Sequence, residues 1–213
     1  PAQPKKENYK DLGIRPPKGM KDTVIMKGTE PQSQVSIVFT SPVSYVAGDN
    51  YALRSLGELM DIKLVEKLRE EKGSVYGVSA YGSLSRIPYS YSSFTISFPC
   101  APENVDSLTK AALDELRKII ETGVSAEDLE KIKEQQRRKL EVDIKQNNFW
   151  MNSLFDAYFN GYSPGEILKR QQQIEKLNSA TIQNAARKYI NLKNYIRAVL
   201  KPEQNEDKPK KPF

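Results

Sequence analysis

The sequence predicts an α+β domain, an antiparallel-rich sheet of about five to six strands with several helices packed on one face. Three observations carry this expectation. Residues 34–40 and 89–98 alternate between apolar and polar side chains, the pattern of strands buried on one side only. Residues 50–71 place apolar side chains at three- and four-residue spacing, which makes one stripe along a long helix. The second half is a succession of helical patterns that closes on a single strand-like run.

Taken in order, residues 1–20 are rich in Pro and Lys, lack periodicity and read as an interdomain linker. The chain opens without Met or an apolar leader, so it reads as a piece of a longer protein. Strands are expected at Asp22–Lys27, around Val24-Ile25-Met26, and at Gln34–Thr40, with Val35, Ile37 and Phe39 turned inward. The long helix, Asn50 to Glu71, carries Leu53, Leu56, Met60, Leu64 and Leu68, and Gly73 is its stop signal. Two more strands follow. Val75–Tyr81 is short and aromatic, and Tyr89–Phe98 sets Phe94, Ile96 and Phe98 against Tyr91, Ser93 and Thr95.

A helix from Glu103 to Glu121 opens just after Pro102 and carries Val105, Leu108, Ala112, Leu116 and Ile119 on one side. Thr122-Gly123 ends it. Ser125, with Asp128 three residues on, is close to a capping box for the next helix, whose apolar positions are Leu129, Ile132 and Leu140. Further helices are expected over 149–159, 166–177 and 181–190, the last with Ser179 as its cap. Tyr195–Leu200 is the final strand, and residues 203–213 form a polar tail, which leaves 21–202 as the domain.

Composition excludes several chemistries. The chain has no His and one Cys. That removes histidine acid–base catalysis, the usual zinc ligands, Ser-His and Cys-His pairs, and any internal disulfide. Cys100, between an apolar strand and Ala101-Pro102, reads as a small buried hydrophobe. The acids are interleaved with Lys and Arg on helices, the pattern of solvated faces. Much of the net charge of +6 comes from Ile167–Lys201, which holds eight basic residues and one acid, Glu175. No recognition motif accompanies them, so they read as a solvated helix face and nucleic acid is not an expected partner. No apolar run approaches the roughly 18–20 residues of a membrane span.

The run Leu64-Val65-Glu66-Lys67-Leu68-Arg69-Glu70-Glu71-Lys72-Gly73-Ser74-Val75-Tyr76 resembles a signature of the pitrilysin family of zinc metallopeptidases, whose members include insulin-degrading enzymes and mitochondrial processing peptidases. Other stretches agree in the same order: Lys27-Gly28-Thr29-Glu30-Pro31; Phe98 to Val105 through Cys100 and Pro102; Gly123-Val124-Ser125 with Glu127, Leu129 and Lys131; and Asn148 with Trp150 and Leu154. The resemblance covers roughly Asp22 to Lys201 and is to the family's last, zinc-free domain. Its catalytic motif, His-x-x-Glu-His, is absent here.

The resemblance implies a domain inactive alone that works with a zinc-bearing N-terminal lobe, on the same or a partner chain. Zinc is then a cofactor of that lobe, and the partners are the lobe and a peptide substrate. Arg69 and Tyr76 are implied to reach the peptide across a closed chamber; Tyr81, Tyr89 and Tyr91 read as core or sheet-surface packing, with a chamber wall as the alternative. A guanidinium and a phenol would donate hydrogen bonds to a polarised carbonyl. The residues alone also allow Arg69 as a surface ion pair among Glu66, Glu70 and Glu71, and Tyr76 as packing. Trp150, beside Phe149 and Met151, reads as a core or interdomain anchor. Exported bacterial relatives point by resemblance to the periplasm. Some family members lost zinc and became scaffolds, the alternative role.

Overall fold

The alternating strands decide the architecture. Val35, Ile37 and Phe39, together with Phe94, Ile96 and Phe98, turn to the same side and are at most 1% exposed. The structure, a computed structural model, describes residues 9–72 and 77–203, and for 68–72 the helix backbone alone. Its strands are β1 (Lys21–Met26), β2 (Ser33–Pro42), β3 (Ser79–Ser85), β4 (Tyr91–Cys100) and β5 (Tyr195–Lys201). Its helices are α1 (Ala47–Lys72), α2 (Val105–Thr122), α3 (Ala126–Asp143), α4 (Asn147–Asn160), α5 (Arg170–Lys176) and α6 (Ser179–Tyr189). Short 3₁₀ segments, Pro102–Asn104 and Pro164–Lys169, precede α2 and α5.

The five strands form one mixed sheet in the order β1-β5-β2-β4-β3. Only β1 and β5 run parallel, and every other pairing is antiparallel. α1, α2 and α6 pack over the apolar face, where Leu53, Leu56, Met60, Leu64, Leu108, Leu116, Ile119 and Ile182 join the strand residues in one core. Each such burial contributes about 1.5–3 kcal/mol, so this face fixes the register. The opposite face carries Ser36, Thr40, Ser93 and Thr95, all half-buried. Small polar residues suit a face that no helix covers.

Four sequence expectations need correction. The strand expected at 75–81 is β3, beginning at Ser79; its inward alternation is Ala80, Gly82 and Leu84, weak strand formers that pattern alone undervalues. Val75, Tyr76 and the stop at Gly73 lie outside the described residues. The single helix expected at 166–177 is a 3₁₀ segment followed by α5, started by Ser163, whose hydroxyl accepts from the Gly165 N–H. The cap of α6 is Asn178, not Ser179. The Asn178 side chain accepts from the Thr181 N–H at 2.9 Å, while the Ser179 hydroxyl is bonded to the Val124 backbone at 2.8 Å. The basic residues of 167–201 share no single helix face: Lys169, Lys176, Arg187 and Lys188 are exposed as expected but lie on three elements, and Arg170, Lys193, Arg197 and Lys201 are half-buried. Arg197 pairs with Asp22 and Asp106, Lys188 with Asp49, and Lys169 with Glu166.

Candidate functional site

The resemblance implies roles for Arg69 and Tyr76, and Arg69 falls at the far end of α1, so the path of that helix matters. α1 runs antiparallel to β3 and lies against its backbone. Asn50 Oδ1 accepts from the Leu84 N–H at 2.9 Å, and an Asp61 carboxylate oxygen accepts from the Ala80 N–H. Between these clamps two glycines permit the contact. A Cβ on Gly57 would meet the Ala80 carbonyl oxygen at 2.7 Å, and one on Gly82 would meet Leu53 Cγ at 2.6 Å. β3 is an edge strand, and α1 occupies the edge that would otherwise be free.

Beyond Asp61 the helix continues to Lys72 although β3 has already begun. At 1.5 Å per residue, the Arg69 backbone lies about 12 Å past the Asp61 clamp. This arm is braced from below. Lys63 Nζ sits 3.2 Å from Glu115 on α2 and 3.0 Å from Asp128 on α3, all three side chains largely buried. Lys131 on α3 reaches Glu66 at 3.4 Å. Burial alone would lower the Lys63 pKa, but the hydrogen bonds to Asp128 and Glu115 outweigh it and raise it. Asp128 also holds the start of α3: its backbone N–H donates to Ser125 Oγ at 3.1 Å, as the near capping box anticipated.

Arg69 is therefore placed by its backbone on the last turn of the arm, and Tyr76 lies outside the described residues. Tyr81 is exposed on the helix-free face, and Tyr91 lies on that face beside Thr95 and Ser93. Tyr89 stacks on Tyr91 at 4.9 Å and is covered by the Arg15 guanidinium, 3.6 Å above its ring. Cys100 is buried, which pushes its thiol up to about 11, far from a nucleophile. Among the described residues no group of three or more His, Cys, Asp or Glu side chains converges to hold a metal.

Two features escaped the sequence reading. Trp150 is no core residue. It shares the outer side of α4 with Met151, Leu154, Phe155, Tyr158 and Phe159, all exposed, and Phe155 and Phe159 stack at 5.8 Å. These six recur at i, i+4 and i+8, a doubled helical stripe that periodicity could have found but could not assign to outside or inside. The second feature is a cleft of about 640 Å³ between the first half of α1, α3, α4 and the Pro164–Lys176 segment. Arg54, Gln136, Phe149, Ser153 and Arg170 line it.

Comparison with known proteins places the chain. The family model described as the peptidase M16 inactive domain matches residues 2–136. A curated relative, a PQQL-like zinc protease of Arabidopsis thaliana, is 26% identical over 145 residues, 64% of this chain and 15% of that protein. The periplasmic protease PqqL of Escherichia coli superposes with a TM-score of 0.70 at 21% identity, over 86% of this chain and 20% of its own. The ferredoxin protease FusC, solved with Arabidopsis ferredoxin, gives 0.74 at 15% identity, over 96% and 22%. An M16 inactive domain from Pseudomonas fluorescens gives 0.70 at 15%, over 89% and 44%.

Proposed function

The chain belongs to the peptidase M16 inactive-domain family, and from that premise we propose that it is the substrate-binding, non-catalytic domain of a zinc metalloendopeptidase. The observation that carries the reading is the family match, supported by the end of α1, which Lys63 braces and which carries the Arg69 backbone past the start of β3. A helix end braced in this way is suited to present side chains to a partner.

Zinc does not fit this chain's own residues. There is no His, the one Cys is buried, and among the described residues no acidic cluster replaces them. Metal and water-activating base belong to a zinc-bearing lobe, on the same or a partner chain. Arg69 and Tyr76 act on the peptide, donating hydrogen bonds to the backbone carbonyl near the scissile bond. These donors hold the carbonyl in place and strengthen as negative charge develops on its oxygen.

The exposed face of α4 is the side that meets the rest of the peptidase. Six large apolar side chains in one stripe exceed what a free surface ordinarily carries. Residues 1–20 serve as the linker into the domain, and 21–202 form its body. The likeness to periplasmic PqqL favours the periplasm as compartment, and no helix among the described residues is long and apolar enough to cross a membrane.

The test uses the complete enzyme with its zinc-bearing lobe. Arg69→Ala and Tyr76→Phe should each lower kcat by on the order of 10²-fold, leaving zinc content and melting temperature unchanged. Arg69→Lys should recover only part, because an ammonium lacks the planar fork. If kcat/KM stayed within about twofold while the melting temperature fell, both residues would be structural and the domain a scaffold.

A further inference from the structure

Charged side chains in this fold are mostly paired. Arg137 meets Glu175 at 2.7 Å, Arg197 meets Asp22 and Asp106, Lys63 meets Glu115 and Asp128, and Lys139 meets Asp143. Arg170 is the contrast. It is half-buried in the wall of the α1–α3–α4 cleft, and among the described residues no carboxylate lies within ion-pair distance of it. Its Nη2 donates to Ser153 Oγ at 2.9 Å, and its guanidinium carbon stands 4.7 Å from the centre of the Phe149 ring. A hydroxyl and an aromatic face position the fork and supply no counter-charge.

The neighbouring acids are engaged elsewhere. Asp143 holds Lys139 at 2.8 Å, and Asp156 accepts from the Asn160 side chain at 2.7 Å. Glu166 is taken by Lys169. A second guanidinium, Arg54 on α1, lines the same cleft and has no partner among the described residues. Burial lowers the Arg170 pKa and the positive charge of Arg54 lowers it further, which the more weakly acting carboxylates of Asp156 and Asp143 offset only in part. Arg54 is exposed and hydrated, so of the two it is Arg170 that is held partly out of water without a paired carboxylate. The rest of the lining is mixed: Leu140, Phe149, Ile167 and Ile174 share the walls with Lys139, Lys176 and the acids Asp143, Asp156, Glu166 and Glu58, the last accepting from the Gln136 side chain. Its volume is in the range that accepts a small ligand or a few residues of peptide.

We propose that this cleft is a binding site for an acidic peptide segment, Arg170 and Arg54 gripping one carboxylate while the apolar walls take its neighbours. Arg170 supplies the planar fork that a carboxylate matches with two parallel hydrogen bonds, and Ser153 and Phe149 hold that fork ready. The site lies on the helix side of the sheet, away from the arm that carries Arg69. It would therefore anchor a peptide at a distance from any point of cleavage, and it stands whether or not Arg69 touches substrate. Phe149, Ser153 and Arg170 all lie beyond residue 136, where the family match ends.

The test is fluorescence-anisotropy titration of the 213-residue chain with a labelled, end-blocked peptide carrying one Glu between Leu and Phe. Its Gln counterpart should bind at least about tenfold more weakly, and so should the Glu peptide to Arg170→Met. The two changes together should cost no more than either alone, as for groups that contact each other. Arg170→Lys should stay weak, whereas Arg138→Met, on an exposed base of α3, should bind like the parent. A third peptide, with Gln and a free C-terminus, distinguishes an α-carboxylate from a side chain; binding as tight as the Glu peptide assigns the site to chain ends. Circular dichroism melts confirm that the variants fold, and Ser153→Ala, which leaves the charge in place but unpositioned, should weaken binding about threefold. Equal binding of all three peptides, an Arg138→Met loss as large as that of Arg170→Met, or no saturable binding at all would each overturn the proposal.

Discussion

Replacing Asp61 by Asn should make the domain more stable at neutral pH and change little at pH 4. Asp61 is half-buried in the seam between α1 and β3, where one oxygen accepts from the Ala80 N–H. Burial raises its pKa to about 6, against a lowering by that N–H, with the nearby Glu58 charge adding to the rise. Because folding raises this pKa, the contribution to stability is full below the ordinary value of 3.8 and is lost as pH rises through about 6. A displacement of that size corresponds to about 3 kcal/mol for a fully shielded group. Water reaches this carboxylate, so about 1–2 kcal/mol is the expected figure. Asn keeps a carbonyl oxygen for Ala80 and has no charge to desolvate. Urea unfolding of both proteins at several pH values between about 4 and 8 measures the difference directly. The curves should separate across pH 4–6 and run parallel above. Parallel curves throughout would show that Asp61 ionises as an ordinary surface acid, and the account of the seam would fail.

Further outcomes follow from the same contacts. Gly82→Ala should destabilise by about 2–4 kcal/mol in urea unfolding, since its Cβ would strike Leu53 Cγ at 2.6 Å and the Leu53 carbonyl oxygen at 2.7 Å. Lys63→Met should cost about 3 kcal/mol by leaving Glu115 and Asp128 uncompensated below the arm, and part of the loss should return on acidification as those carboxylates protonate. The chain alone should retain no zinc through dialysis and hydrolyse no peptide, checked by metal analysis and a chelator-sensitive peptidase assay. Phe155→Glu with Phe159→Glu should leave the fold intact, yet abolish co-purification with the zinc-bearing lobe.

The sheet and its order of elements were legible because the signals are redundant. Phe94, Ile96 and Phe98 alternate, β2 repeats the pattern opposite them, and the stripes of α1 and α2 supply the matching cover. Errors fell where one local preference had to be chosen over another. Ser179 and Asn178 are both good caps, and the choice was made by a distant partner, Val124, which claims the serine hydroxyl. β3 hides because its inward positions are Ala, Gly and Leu. Those small residues are there for α1, whose backbone approaches too closely for larger ones, and that requirement belongs to the packing of two elements.

The candidate site divides in the same way. Arg69 at the end of α1 was singled out from a local run of residues by resemblance, and its role stays a proposal. The cleft could not be found so, because its defining property is a missing partner. Nothing in the sequence near Arg170 distinguishes it from Lys169; both sit in a basic stretch within reach of Glu166. Folding makes the distinction by giving Glu166 to Lys169, Glu175 to Arg137 and Asp143 to Lys139, and by turning Arg170 inward against Phe149. A counter-charge withheld from a half-buried guanidinium costs stability unless something outside the chain supplies it. That cost separates a site from a surface: the paired arginines are satisfied by the fold, whereas Arg170 keeps part of its fork free, and the proposed anion would complete it.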